Sequence, residues 1–132
     1  MSKEFIRKTM EKRFFDFSGL SQDHKGYENR QDVKPPTSGI WAQIYITHGL
    51  RNVTSIGDAP CTRRTGVVTI DVFVRRGQGT ANINQITDSL EDWFSFYEVG
   101  NLWLDAARTI NDRGSDTYYQ STVYVPYTYD DN

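Results

Sequence analysis

"RRTGVVTIDVFVRRGQGT", residues 63–80, is the stretch on which the fold turns. Val68, Ile70, Val72 and Val74 fall on one face of an extended chain, and Val67, Thr69, Asp71 and Phe73 on the other. A two-residue period of this kind marks a β-strand with one face toward a core. The run ends in Arg75-Arg76-Gly77-Gln78-Gly79-Thr80, and a helical pattern follows at once. Strand, glycine turn and helix is also the layout of a phosphate-binding loop, but three features weigh against a nucleotide site. Strands that feed such loops are buried on both faces and read as unbroken apolar runs, whereas Thr69 and Asp71 sit in mid-strand. The dinucleotide fingerprint requires a third glycine where Asn82 stands. A Walker loop requires Gly-Lys-Ser/Thr, and Gly79 is followed by Thr80-Ala81. The glycines therefore let the chain turn from a sheet edge into a helix. Thr80 or Asn82 is placed to cap that helix, with Gln85 able to reach back to Asn82.

Working outward, "GIWAQIYITH" (39–48) alternates cleanly, with Ile40, Ala42, Ile44 and Ile46 on the core face and Trp41, Gln43, Tyr45 and Thr47 opposite. Phe5, Ile6, Met10, Phe14 and Phe17 predict an amphipathic helix over 2–17. Ile83, Ile86, Leu90, Trp93, Phe94 and Tyr97 predict a second over 81–98, whose outer face carries Asp88, Glu91, Asp92 and Glu98. "NLWLDAARTI" (101–110) reads as a strand, "NDRGSD" (111–116) as a turn and "TYYQSTVYVPYTY" (117–129) as a final aromatic strand. Residues 18–39 and 49–65 are polar, rich in turn formers and read as long loops. The expectation is an α+β fold in one domain spanning 1–132. It comprises an antiparallel sheet of about four strands, two helices packed on one face, and long inter-strand loops.

Chemistry is harder to find. The net charge of −2 does not suit a nucleic-acid binder driven by counterion release. Cys61 is the single cysteine, so there is no internal disulfide and no metal spacing. His24 and His48 are isolated, no nucleophile motif accompanies Cys61, and Asp130-Asp131 read as a solvated acidic tail. No catalytic constellation, cofactor site or metal site is expected. The N-terminus is basic but has no apolar run long enough for a signal peptide or membrane span, which leads to the expectation of a soluble protein made in a reducing cytoplasm. All five lysines lie at or before Lys34, and after it come seven arginines, the cation that interfaces favour. Trp41 and Tyr45 on one strand, with Tyr118 and Tyr124 on another, oppose the core face. If those strands adjoin, they form an apolar patch of the kind that marks a partner surface.

The order of elements resembles the tail terminator, or tail completion, proteins of long-tailed bacteriophages, the family of the phage lambda U protein. The resemblance rests on the N-terminal helix, the strand ending "QIYITHG", and the Arg64-Thr65-Gly66 entry into "VVTIDVFV". It continues through the Gly77-Gln78-Gly79 turn into the second helix and the closing Tyr-rich strand ending in Asp. It implies a structural virion protein rather than an enzyme, assembled in the host cytoplasm into a ring, typically a hexamer, at the head-proximal end of the tail tube. There it would stop tube polymerisation and present a docking surface to head-completion (neck) proteins, while DNA passes through unread. A closed ring is heterologous and needs two different complementary patches on each subunit. Arg51, Arg63 and Arg64 facing a neighbour's Asp88, Glu91 and Asp92 make one candidate contact, and the Trp41, Tyr45, Tyr118 and Tyr124 face makes the other. Two further readings stay open. One is a cone-shaped α+β ligand-binding domain of isomerase or dehydratase type, using Asp71 or Asp105. The other is a single-stranded nucleic-acid binder stacking bases on Trp41, Tyr45 and Phe73.

Overall fold

The computed structural model describes residues 2–20, 24–27, 40–53, 61–75, 81–112 and 118–131. Its elements are α1 (Ser2–Phe15), β1 (Lys25–Tyr27), β2 (Ile40–Val53), β3 (Thr62–Arg75), α2 (Ala81–Phe94), β4 (Glu98–Val99), β5 (Leu102–Leu104), β6 (Arg108–Asp112) and β7 (Tyr118–Asp131). One seven-stranded sheet runs in the order β1-β2-β3-β7-β5-β4, with β6 also paired to β7. The β1–β2 pair is parallel and the others are antiparallel. This corrects the expected four-stranded antiparallel sheet: the sheet is mixed, larger, and curled into a half-barrel.

The additional strands have physical causes that periodicity does not register. β1 is three residues inside the polar 18–39 segment, too short for any alternation, and is held by its parallel register on Ala42–Ile44. The predicted strand 101–110 is broken at 105–107, where Asp105 N donates to Pro126 O at 2.9 Å and Ala107 N to Ser95 Oγ at 2.8 Å. The predicted loop 49–65 is strand at both ends, because Arg51↔Arg64, Asn52↔Arg63 and Val53↔Thr62 continue the ladder. Backbone pairing of polar residues needs no apolar face, so hydropathy does not reveal it. The turn at 76–80 and residues 28–39 lie outside the described residues, as does the proposed capping by Thr80 and the Asn82 side chain.

Where alternation was clear, the faces fall as expected. Ala42, Ile44, Val68, Ile70, Val72 and Val74 are buried together with Val123, Val125 and Tyr127. The register aligns Ile44↔Ile70↔Val123 across three strands, so one sheet face is continuous. Ile6, Met10 and Phe14, each four residues apart on α1, and Ile83, Leu90 and Phe94 on α2 complete this core with no solvent exposure. Each such side chain contributes about 1.5–3 kcal/mol through burial.

Two polar devices fix the helices. Arg13 lies between the rings of Trp93 and Tyr97, its guanidinium carbon 3.8 and 3.9 Å from their centroids. It donates to Trp93 O at 2.6 Å, and Trp93 Nε1 donates back to Arg13 O at 2.7 Å. Lys25 is buried and donates its ammonium to Phe15 O and Phe17 O, carbonyls at and just past the end of α1 that the helix itself leaves without donors. Burial pulls the Lys25 ammonium below its ordinary pKa, with Asp16 acting in the opposite sense. α2 stops at Phe94, short of the predicted Glu98, because Phe96 adopts a φ of 61°. A left-handed residue cannot continue a right-handed helix.

Candidate assembly surfaces

β2, β3 and β7 each run 14 residues, a length of roughly 45 Å. The helices cover only part of that length. From Thr47 onward β2 is exposed throughout and forms an arm with the end of β3; beyond them the end of β7 is held by β5 and by Phe5 of α1 against Tyr129. A register shift between His48 and Arg51 marks where the arm leaves the core. Such a bulge bends a strand and increases its twist. At that level Gly66 pairs with both His48 and Tyr127. A Cβ on Gly66 would overlap the Thr47 carbonyl and the Tyr127 ring, so the glycine is required by close approach. The buried Tyr127 ring fills the space, and its hydroxyl lies 2.8 Å from His48 Nδ1.

The three predicted arginines sit on this arm but do different things. Arg63 makes a bidentate pair with Asp130 at 2.7 and 3.1 Å and lies 5.3 Å from the Trp103 ring centroid. Hydrogen bonding to Arg63 holds the Asp130 carboxyl below its ordinary range. Asp130 is therefore not the solvated tail the sequence suggested. Arg51 is exposed and donates Nε to Thr62 Oγ1 at 3.1 Å. Arg64 is half-buried directly opposite Arg51, and its Nε is buried with no hydrogen-bond partner. Leu50 and Val53 add apolar surface to the arm, 71% and 64% exposed. On α2, Asp88 and Asp92 are exposed and Glu91 is half-buried; no ion pair involves them among the described residues.

The aromatic face is more closed than the sequence suggested. β3 lies between β2 and β7, so Tyr45 and Tyr124 do not adjoin but flank Thr69 in one cross-strand row. Trp41 stacks on Phe73 with centroids 4.4 Å apart, and Arg108 lies 5.6 Å from the Tyr124 ring centroid. Thr122 Oγ1 donates to Asp71 Oδ1 at 2.9 Å. The Tyr45 hydroxyl is pushed up to about 12 by burial and then by its hydrogen bond to Asp71. Trp41, Tyr45 and Tyr124 are each half-buried, while Thr69 and Thr122 beneath them are buried. Tyr118 stands opposite Arg75, and its side chain lies outside the described residues. Sequence reasoning missed Asp130 and Trp103 as partners of Arg63. The available signal was the length of the last strand, which reaches back along all of β3.

Among the described residues no three His, Cys, Asp or Glu side chains gather into a metal-binding group, and no helix is long and apolar enough to cross a membrane. A solved structure matches the fold with a TM-score of 0.72 at 20% identity, covering 98% of this chain and 96% of that one. At that identity the likeness speaks to fold alone. No curated protein sequence matches the chain. The family model described as phage tail terminator protein matches residues 6–114. The chain belongs to the phage tail terminator family, whose members are structural components of the virion tail associated with the tail tube and the head.

Proposed function

We propose that this chain assembles as a closed homomeric ring, a hexamer, on the head-proximal end of the tail tube. There it ends tube polymerisation and offers its outer surface to the head-completion proteins. DNA passes through the lumen without sequence-specific contact, and the ring is built in the host cytoplasm before heads join. The role is mechanical rather than catalytic. The observation that carries this reading is the arm: the end of β2, exposed from Thr47 on and paired to β3 beyond the bulge, with cationic and apolar side chains displayed on it. An isolated monomer gains little from displaying Leu50 and Val53, whereas a subunit that must meet neighbours gains a contact surface.

Within the ring, Arg51, Arg63 and Arg64 belong to one contact region and Asp88, Glu91 and Asp92 to its complement. The face bearing Trp41, Tyr45, Tyr118 and Tyr124 supplies a further contact. Trp41, Tyr45 and Tyr124 are half-buried, Trp41 stacked on Phe73 and Tyr45 bonded to Asp71, which suits a preformed surface that loses little freedom on docking. The reading is tested by labelling the chain with a small epitope and locating gold-tagged antibody on intact virions. Label confined to the junction of tail and head is the expected result. Label along the tube or at the distal tip would refute it.

A further inference from the structure

We propose that the exposed end of β2 in one copy docks on the corner between α2 and β4 of a second copy, with Leu50 and Val53 set against the Phe96 ring. This rests on the ring reading above and supplies an apolar contact between neighbouring subunits. Phe96 is the starting observation. It is 75% exposed, and its φ of 61° is a backbone conformation that bulky side chains avoid and that glycine or asparagine adopts more readily. Either of those residues would end α2 as well, at less conformational cost. Instead the strained position holds a large apolar ring out in solvent, where one copy gains little from it. Strain of this kind persists at functional sites, and aromatic rings are enriched in protein interfaces.

The sheet decides what meets that ring. One cross-strand row runs through Arg51, Arg64, Tyr129, Leu102 and Val99, so the end of β2 and the β4 corner are the two ends of a single row. Three strands lie between them, a path of roughly 19 Å along the sheet, and within one copy neither end covers the other. β1 pairs β2 only at Ala42–Ile44 and β4 is the last strand in the order, so among the described residues both ends are open. They are also complementary. Leu50 and Val53 are exposed beside Arg51 at one end, and Phe96 is exposed beside Glu98 at the other. Arg51 keeps its bond to Thr62 Oγ1; opposite charge orients the contact, and the apolar side chains carry it. β4 is only two residues long, which leaves side chains rather than added strand pairing to make the join. Because both ends lie on one row, apposing them needs no sliding of one copy along the strands of the next. The contact is head-to-tail, and it closes into a ring when the rotation between copies closes.

The test is sedimentation velocity of the full chain over a concentration series, with thermal unfolding measured at a dilution where wild type is monomeric. Phe96→Asn removes the ring and suits the backbone angle. It should leave the melting temperature equal or higher while weakening self-association by roughly tenfold or more. Leu50→Ser should weaken association likewise without lowering the melting temperature. In a Cys61→Ser background, Leu50→Cys together with Phe96→Cys should oxidise into a ladder of covalent oligomers, and each single cysteine variant should give none. Association as in wild type for both Phe96→Asn and Leu50→Ser overturns the contact and leaves the ring reading standing. So does efficient dimer formation by either single cysteine variant, which would show a patch meeting itself. Variants that associate normally but no longer join tubes or heads assign Phe96 to another tail component and equally overturn it. A wild-type chain that is monomeric at every concentration overturns it too, and the ring reading is then judged by counting copies at the tail end.

Discussion

Replacing Gly66 with alanine puts one methyl group at the point where the arm leaves the core. The new Cβ would meet two obstacles, the Tyr127 ring on β7 and the carbonyl of Thr47 on β2. A ring can swing aside, but Tyr127 is 1% exposed and has nowhere to go without disturbing the core. The Thr47 carbonyl is backbone, so β2 itself has to shift. Forcing extra volume into a packed site costs about 1–3 kcal/mol. Moving the Tyr127 hydroxyl away from His48 Nδ1, now 2.8 Å distant, costs about 0.5–1.5 kcal/mol more. The sum of roughly 2–4 kcal/mol corresponds, for a chain of this size, to a drop of roughly 6–20 °C in melting temperature. Thermal unfolding followed in the far and near ultraviolet measures it. Tyr127→Leu in the same chain removes one of the two obstacles, so the alanine should then cost less than it does alone. A Gly66→Ala protein that melts within about 2 °C of wild type would refute the close-packed junction.

Other consequences follow from the same geometry. Arg13→Lys keeps the charge but loses the planar fork stacked between Trp93 and Tyr97, and should cost about 1–2 kcal/mol in urea denaturation. Lys25→Met leaves Phe15 O and Phe17 O without their donor; it should destabilise by about 1–3 kcal/mol and speed amide exchange in the last turn of α1. Tyr45 has its phenol raised from 10.0 to about 12, so between those values the unfolded chain loses a proton that the folded chain keeps. Stability therefore falls across that window as pH rises, and Tyr45→Phe should flatten that part of the alkaline profile. Asp130→Asn breaks an exposed pair with Arg63. Because solvent screens such a surface pair, the urea unfolding curve of the variant should overlay that of wild type.

The parts of this fold legible in the sequence are those where burial writes a period into it. Ala42 and Ile44, with Val68, Ile70, Val72 and Val74, are all buried on one face because a strand with one side on a core has to alternate. Ile6, Met10 and Phe14 are legible for the same reason at helical spacing. The arm is not, because Arg51, Asn52 and Val53 pair with Arg64, Arg63 and Thr62 through backbone groups, with no apolar face to alternate. β1 and β4 are three and two residues long, too short to show a period at all. The candidate surfaces divide likewise. The charges of Arg51, Arg64, Asp88 and Asp92 can be read directly, but the withdrawal of Arg63 into a pair with Asp130 depends on a contact 67 residues apart in the chain. The outward position of Trp41, Tyr45 and Tyr124 is correct by parity. That they stack and bond into a half-buried layer depends on β3 lying between their strands.

Whether this chain ends growth of the tail tube is read from tail length. Electron micrographs of particles made with and without the chain, in an otherwise complete phage, give the length distribution of tubes and the fraction joined to heads. Without the chain, tubes should grow to irregular lengths beyond the normal tail and carry no heads, and supplying it should restore one length and head attachment. Tails of normal, uniform length joined to heads in its absence would contradict it.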